Sequence, residues 1–196
     1  MGDYERFHEG LLAWEAEDGN IIYSASAMGA CESELVFSRR GIQAVAPPDV
    51  MQKAFEDGKR EEKKIIDAFC REYGVGVTNK PTQWAGTIQP FAGKQILISC
   101  HIDERAMSGE VVEAKLLAES TMKTIQNPND PLREHYMHQM CCYSKWRGEV
   151  DVYWVLGLKD KQGNFVKIQD VVVLDWAEDL SPYSPKIKSK ILKVEK

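Results

Sequence analysis

The spacing of apolar and polar residues along the chain changes between two periods, and each change marks an element. Alternating or continuous apolar runs read as strands: "IIY" after the Asp18-Gly19 turn, "KQILISCHID", "EVVEAKLL", "EVDVYWVLGLK" and "NFVKIQDVVVLDW". "MSG" lies between the second and third, which predicts a hairpin, and "KDKQGN" turns the last two. Helical spacing begins where Ser26 offers an N-cap, with Met28, Cys31 and Leu35 on one side and Gly41 as the stop. A long helix follows Pro48, from about Asp49 to Tyr73, and Gly74 ends it. Asp130 and Pro131 open a third helix that runs to about Trp146. "AVAPPD" is a linker, and Pro81, Gly86, Pro90 and Gly93 break any long element between Val75 and Gly93. "AESTMKTIQNPND" reads as a loop. The last segment, "PKIKSKILKVEK", carries five lysines against one glutamate and reads as a solvated tail, with a polyanion contact as the alternative. The order of elements is that of an α/β domain built on a mixed sheet.

A few charged residues break this pattern. On the strand "EVVEAKLL", Glu113 and Lys115 share a face with Val111 and Leu117. A half-exposed strand explains them as a solvated pair; a lined site is the other explanation. The long helix carries Met51, Phe55, Gly58, Ile65, Phe69 and Tyr73 as an apolar stripe, and Glu62 stands where the missing member belongs. A carboxylate there either snorkels beside Glu61 and Lys63 or needs a partner, since unpaired burial costs several kcal/mol. Asp103 ends an apolar strand and serves as a turn-former, or else meets Glu113 and Lys115 across the hairpin. Gln139 and Tyr143 are four apart on one helix face, with Tyr136 and Met140 at its margins. His135 and His138 lack a third ligand and read as packing or surface residues.

Taken together, these residues form a chemically coherent set. Asp103, Glu113 and Glu62 supply the oxygen ligands that Mg²⁺ or Mn²⁺ prefers. A lysine two residues away can orient or deprotonate water and offset phosphate charge. An aromatic and an amide on an adjacent helix can position a nucleic-acid strand. Metal-assisted phosphodiester hydrolysis needs those groups.

Composition narrows the class. A chain of 196 residues suits one domain with room for a core, and 43% apolar with 28% charged residues is ordinary for a globular protein. No apolar run reaches the length of a membrane span, and the acidic "MGDYERFHEGLLAWEAEDG" has no secretory pattern. Arg6 stands where a myristoylation signal prefers Ser or Thr. Five cysteines without a C-x-x-C pair fit reduced thiols and a cytoplasmic setting. The net charge of −5 argues weakly against wholesale electrostatic binding to nucleic acid, but leaves room for a local basic groove.

The residues resemble the PD-(D/E)XK nuclease superfamily: Asp103, a hairpin, then Glu113-Ala114-Lys115. "GKREE" is similar to the Gly-x-x-x-Glu helix of its RecB-like, lambda-exonuclease-like and YqaJ-like group, through Gly58 and Glu62. "QMCCY" is similar to that group's Gln-x-x-x-Tyr motif, as Gln139 and Tyr143, and "YSASAMGACESELVFSRRG" to its Ser-containing helix. The resemblance spans about residues 20–175, with a basic extension at 176–196, and implies a single nuclease domain with a restriction-endonuclease-like core. It implies one or two Mg²⁺ or Mn²⁺ ions held by Asp103, Glu113, the Ala114 carbonyl and Glu62, with Lys115 positioning water. Gln139, Tyr143 and Ser26 would contact DNA, and either Arg39 or Arg40 a phosphate. Ile102 stands where the motif has Pro. Relatives with an iron–sulfur cluster carry cysteines after the Gln-x-x-x-Tyr helix; none follows Cys142, so no cluster is expected. The implied activity is a DNA exonuclease of recombination or repair, such as a phage encodes. A separate recombinase, annealing protein or helicase would be its partner, with no membrane and with room for homo-oligomers. An endonuclease or resolvase on the same core, and an inactive DNA-binding protein, are the alternatives.

Overall fold

The computed structural model describes residues 12–16, 18–42, 49–78 and 82–195. The start of the acidic N-terminus, the linker at 44–48, Pro81 and the side chain of Met51 lie outside the described residues.

The strands divide into two four-stranded mixed sheets. In the first, β1 (Ala13–Glu15), β2 (Ile21–Ser24), β3 (Thr82–Phe91) and β4 (Lys94–Ile102) lie in the order β1-β2-β4-β3. β2 is parallel to β4 and the other pairs are antiparallel. In the second, β5 (Glu104–Arg105), β6 (Val111–Leu117), β7 (Val152–Lys159) and β8 (Phe165–Leu174) follow chain order, with β6 parallel to β7. Among the described residues the α-helices are α1 (Glu32–Arg39), α2 (Asp49–Tyr73), α3 (Glu119–Ile125), α4 (Pro131–Arg147) and α5 (Ser184–Val194).

The mixed α/β architecture is as expected, but the single sheet is two. β4 does not form a hairpin with β6, because β2 and β3 already occupy both of its edges. The chain breaks out of the first sheet at Asp103, and the two residues of β5 then pair with Val112 and Val111 of β6. α2 takes the predicted bounds, and α4 starts where Asp130 accepts a hydrogen bond from the Leu132 N–H at 2.8 Å. α4 ends at Gly148, whose φ of 115° suits a residue without a side chain.

Four expectations are corrected. Ser26 does not cap a helix: Ala25–Ala27 form a 3-10 turn, and α1 begins after Cys31. There the Glu34 carboxylate accepts the Cys31 N–H at 2.9 Å, an acid three residues inside the helix start that outcompetes Ser26. The broken stretch before Gly93 holds β3, which tolerates Pro90 because it is an edge strand with an irregularity between Thr87 and Gln89. The loop after Ala118 contains α3, anchored by buried Met122 and Ile125. The lysine-rich tail is α5, seated by Ile187 and Ile191, which are 1% and 0% exposed.

α4 stands at the centre of the molecule. Its Met137, Met140, Cys141 and Tyr143 pack with Ile98 and Cys100 of the first sheet and with Val152 and Trp154 of the second. α2 covers the other face of the second sheet, placing Ile65, Ile66 and Phe69 on Val112, Ala114 and Val155. The buried stripe of α2 differs from the predicted one: Phe55 and Tyr73 are exposed, while Asp57 and Glu61 are buried. Those two carboxylates face the β7–β8 turn. Glu61 accepts the Phe165 N–H at 3.2 Å and bonds from Lys64 and Arg60, and its pKa is lowered to about 2, chiefly by Lys64. α5 closes onto the first sheet through Glu195, which accepts hydrogen bonds from the Tyr23 hydroxyl and from Arg39 Nε at 2.8 Å. Arg39 is thereby engaged in a structural pair, and Arg40 is exposed.

Candidate active site

β6 is the floor of the site, and its open edge explains how the site forms. β5 pairs only as far as Val112, so the next N–H along that edge, Ala114, has no strand beside it. Asp103 fills the gap: its Oδ2 accepts the Ala114 N–H at 2.8 Å. The carboxylate that ends one sheet thus becomes the last rung of the other.

Glu113 and Lys115 point to the α4 side of β6, two residues apart and therefore on one face. Glu113 is 1% exposed and its Oε1 is bonded by the Lys115 ammonium. Gln139 Nε2 reaches the same Oε1 at 3.3 Å and the Tyr143 hydroxyl at 2.6 Å. The helical spacing of Gln139 and Tyr143 therefore sets Gln139 on the carboxylate and the Tyr143 hydroxyl on Gln139. Glu113 Oε2 is buried and has no hydrogen-bond partner.

The electrostatics show three carboxylates gathered around one ammonium. Burial, then the charge of Asp103, pushes Glu113 up to about 8. Glu62, half-buried on α2, rises to about 7 through burial and the same Asp103 charge. Asp103 is raised by burial, against the pull of Lys115 and the Ala114 N–H. Burial disfavours the charged form of Lys115, but Glu113 and Asp103 outweigh it and the ammonium is held more tightly than usual. Glu62, Asp103, Glu113 and Lys115 are thus one electrostatic unit.

Among the described residues, no three His, Cys, Asp or Glu side chains already converge as a metal cage. The donor chemistry nevertheless suits a hard divalent cation. Excess carboxylate charge and an unsatisfied buried oxygen on Glu113 are what such an ion neutralises, and Asp103 and Glu62 are the other oxygen donors within electrostatic reach.

Ser26 joins this unit indirectly. Its hydroxyl shares a 2.7 Å hydrogen bond with Ser24, while its backbone and that of Gly29 are bonded by His135. His135 stands edge-on to Tyr136, with ring centroids 6.1 Å apart. His138 is a packing residue, bonded to the Glu134 carbonyl at 2.8 Å and edge-on to Tyr183. Tyr136, which the sequence placed only at the margin of its face, lies with its ring centroid 5.6 Å from Lys115 Nζ. Behind it is Trp154, cross-strand from Glu113 and fully buried. The parallel register of β6 and β7 sets that neighbour, and no local pattern announces it.

The fold is that of a known exonuclease. The alkaline exonuclease LHK-Exo of Laribacter hongkongensis superposes with a TM-score of 0.53 at 18% identity, over 88% of this chain and 87% of that one. The same enzyme in complex with dAMP gives 0.54 over the same shares, again at 18% identity. No protein-family profile matches the chain, and no curated protein does. The described helices include none long and apolar enough to cross a membrane.

Proposed function

We propose that the chain is a divalent-metal-dependent deoxyribonuclease of the PD-(D/E)XK superfamily, in the RecB-like and lambda-exonuclease-like group. It works as an exonuclease on DNA phosphodiesters in recombination or repair. The observation that carries this reading is the single unit of Asp103, Glu113 and Lys115 at the open edge of β6, with Gln139 bonded to Glu113 and Glu62 in electrostatic contact. The fold shared with an alkaline exonuclease supports it.

In this reading Asp103, Glu113, Glu62 and the Ala114 carbonyl hold Mg²⁺ or Mn²⁺. An ion held there would lower the pKa of the attacking water and offset the charge of the phosphate. The chain's own groups do the rest. Lys115, its proton held firmly by Glu113 and Asp103, orients the attacking water and faces the phosphate as a cation. Gln139 fixes the Glu113 carboxylate, and Tyr143 fixes Gln139, so the carboxylate cannot rotate away. Ser26 and the loop beyond it would face the DNA strand.

End-labelled linear DNA and covalently closed circles, incubated with Mg²⁺ or Mn²⁺ and then with EDTA, test the proposal. Degradation of linear DNA only, lost with EDTA and in Lys115→Ala, is the expected result. Cutting of closed circles refutes the exonuclease half of the reading. Cleavage that survives unchanged in Lys115→Ala refutes the site.

A further inference from the structure

α5 turns a lysine-rich segment into one charged face. Ile187 and Ile191 point into the core, which leaves exposed Lys186 and Lys193 and half-buried Lys190 on a shared stripe at helical spacing. Together with Glu32, Pro185 and Ser189 these lysines line a depression of about 440 Å³. No acid lies within Ser184–Val194, and Glu195, the next residue, is turned away to Arg39 and Tyr23. Even with Glu32 and Glu134 beside it, the patch is net positive in a chain of net charge −5.

The stripe is joined to the candidate active site through the Ser26 loop. Lys190 Nζ donates to the Met28 carbonyl at 2.8 Å and the Ala30 carbonyl at 3.0 Å, just past the turn that holds Ser26. His135 bonds the same loop from α4 and lies within electrostatic reach of both Lys115 and Lys190. The loop packs directly on α4, so closely that a Cβ on Gly29 would come to 2.7 Å from the His135 Cα. Lys115, the Ser26 loop and the α5 stripe therefore follow one another around α4, at Tyr136, His135 and Glu134 in turn.

We propose that the Lys186–Lys190–Lys193 stripe of α5 is the surface that carries the DNA phosphate backbone away from the Ser26 loop. This rests on the deoxyribonuclease reading and extends it to a surface outside the reacting groups. Lys186 and Lys193 are held in the free protein by exposed pairs with Glu134 at 3.4 Å and Glu32 at 2.9 Å. Such pairs are worth little, so phosphates replace the carboxylates at small cost. Lys188 lies roughly 200° round the helix from Lys186 and belongs to no such stripe.

The test is fluorescence anisotropy of a labelled DNA duplex with the full chain in EDTA, where nothing is cut, over a range of salt concentrations. Lys186→Ala/Lys193→Ala should flatten the slope of log affinity against log salt by about two, one for each lost contact. Lys188→Ala and the charge-conserving Lys186→Arg/Lys193→Arg should keep the wild-type slope. Cleavage of an oligonucleotide too short to reach α5 should be unchanged in all three. An unchanged slope in the alanine pair, or an equal loss in Lys188→Ala, overturns the assignment. The two proposals fail separately. A wild type that binds through α5 but never cleaves defeats the nuclease reading alone; one that cleaves yet keeps its slope in the alanine pair defeats this inference alone. A wild type that neither binds nor cleaves DNA defeats both.

Discussion

Glu113→Gln should make the metal-free protein more stable while abolishing cleavage. Three carboxylates face one lysine in the site, and Glu113 is the most deeply buried, with its pKa raised from 4.5 to about 8 by burial and by Asp103. A carboxyl whose folded pKa lies above its unfolded value contributes its full stability below the unfolded pKa. That contribution fades as pH rises, from about 4.5 until the group ionises near 8 in the folded state. At pH 7 the deficit for this one group is about 3 kcal/mol, taking 1.36 kcal/mol for each unit. Gln removes the titration, and Lys115 still has Asp103 as a counter-charge. Urea unfolding in EDTA at pH 5, 6.5 and 8 measures it. The variant should come within about 1 kcal/mol of wild type at pH 5 and exceed it by about 4 kcal/mol at pH 8. With saturating Mn²⁺ the wild type should gain about 3 kcal/mol and the variant much less. A variant less stable than wild type at pH 8 in EDTA would show that the Lys115 ion pair outweighs the carboxylate repulsion, and the reasoning fails.

Other perturbations test other parts of the structure. Gly29→Ala places a Cβ about 2.1 Å from His135 Nδ1 and 2.7 Å from its Cα, so either the loop or α4 must move. A loss of roughly 1–3 kcal/mol in urea unfolding is expected. Ile191→Ala empties a position that is 0% exposed under α5 and should cost about 2–5 kcal/mol; a cost under about 1 would mean that α5 is a tail after all. Tyr136→Leu removes the ring beside Lys115 and its packing on Trp154, so cleavage should slow several-fold at a stability cost of about 1 kcal/mol, while Tyr136→Phe keeps the ring, the packing and the rate.

The long elements were legible because each carried its own boundary signals. α2 begins and ends at the predicted residues, with Pro48 before it and Gly74 after it. α4 shows its cap, its first-turn proline and its closing glycine. The candidate site was legible for a different reason. Glu113, Lys115 and Glu62 are charged residues where periodicity expects apolar ones, and such misfits stand out. What was hidden depends on pairing between distant segments. No local pattern reveals that β4 is already flanked on both edges, or that β5 is therefore needed to reach β6. The same blindness made Phe55 and Tyr73 look buried. Asp57 and Glu61 take those interior positions only because Lys64, Lys159 and the Phe165 N–H arrive to meet them. α5 was misjudged because its lysines outnumber the two isoleucines that seat it.

The contact of Tyr23 and Arg39 with Glu195 has a bearing on how the protein is made. Tyr23 and Glu195 are 172 positions apart, and Arg39 and Glu195 are 156 apart. β2 therefore waits for a residue 172 positions further on before the Tyr23 hydroxyl is satisfied. Contacts of such sequence separation slow folding, because a large loop must close before any of them forms. The first sheet should therefore stay open to chaperones until α5 has been synthesised and has docked.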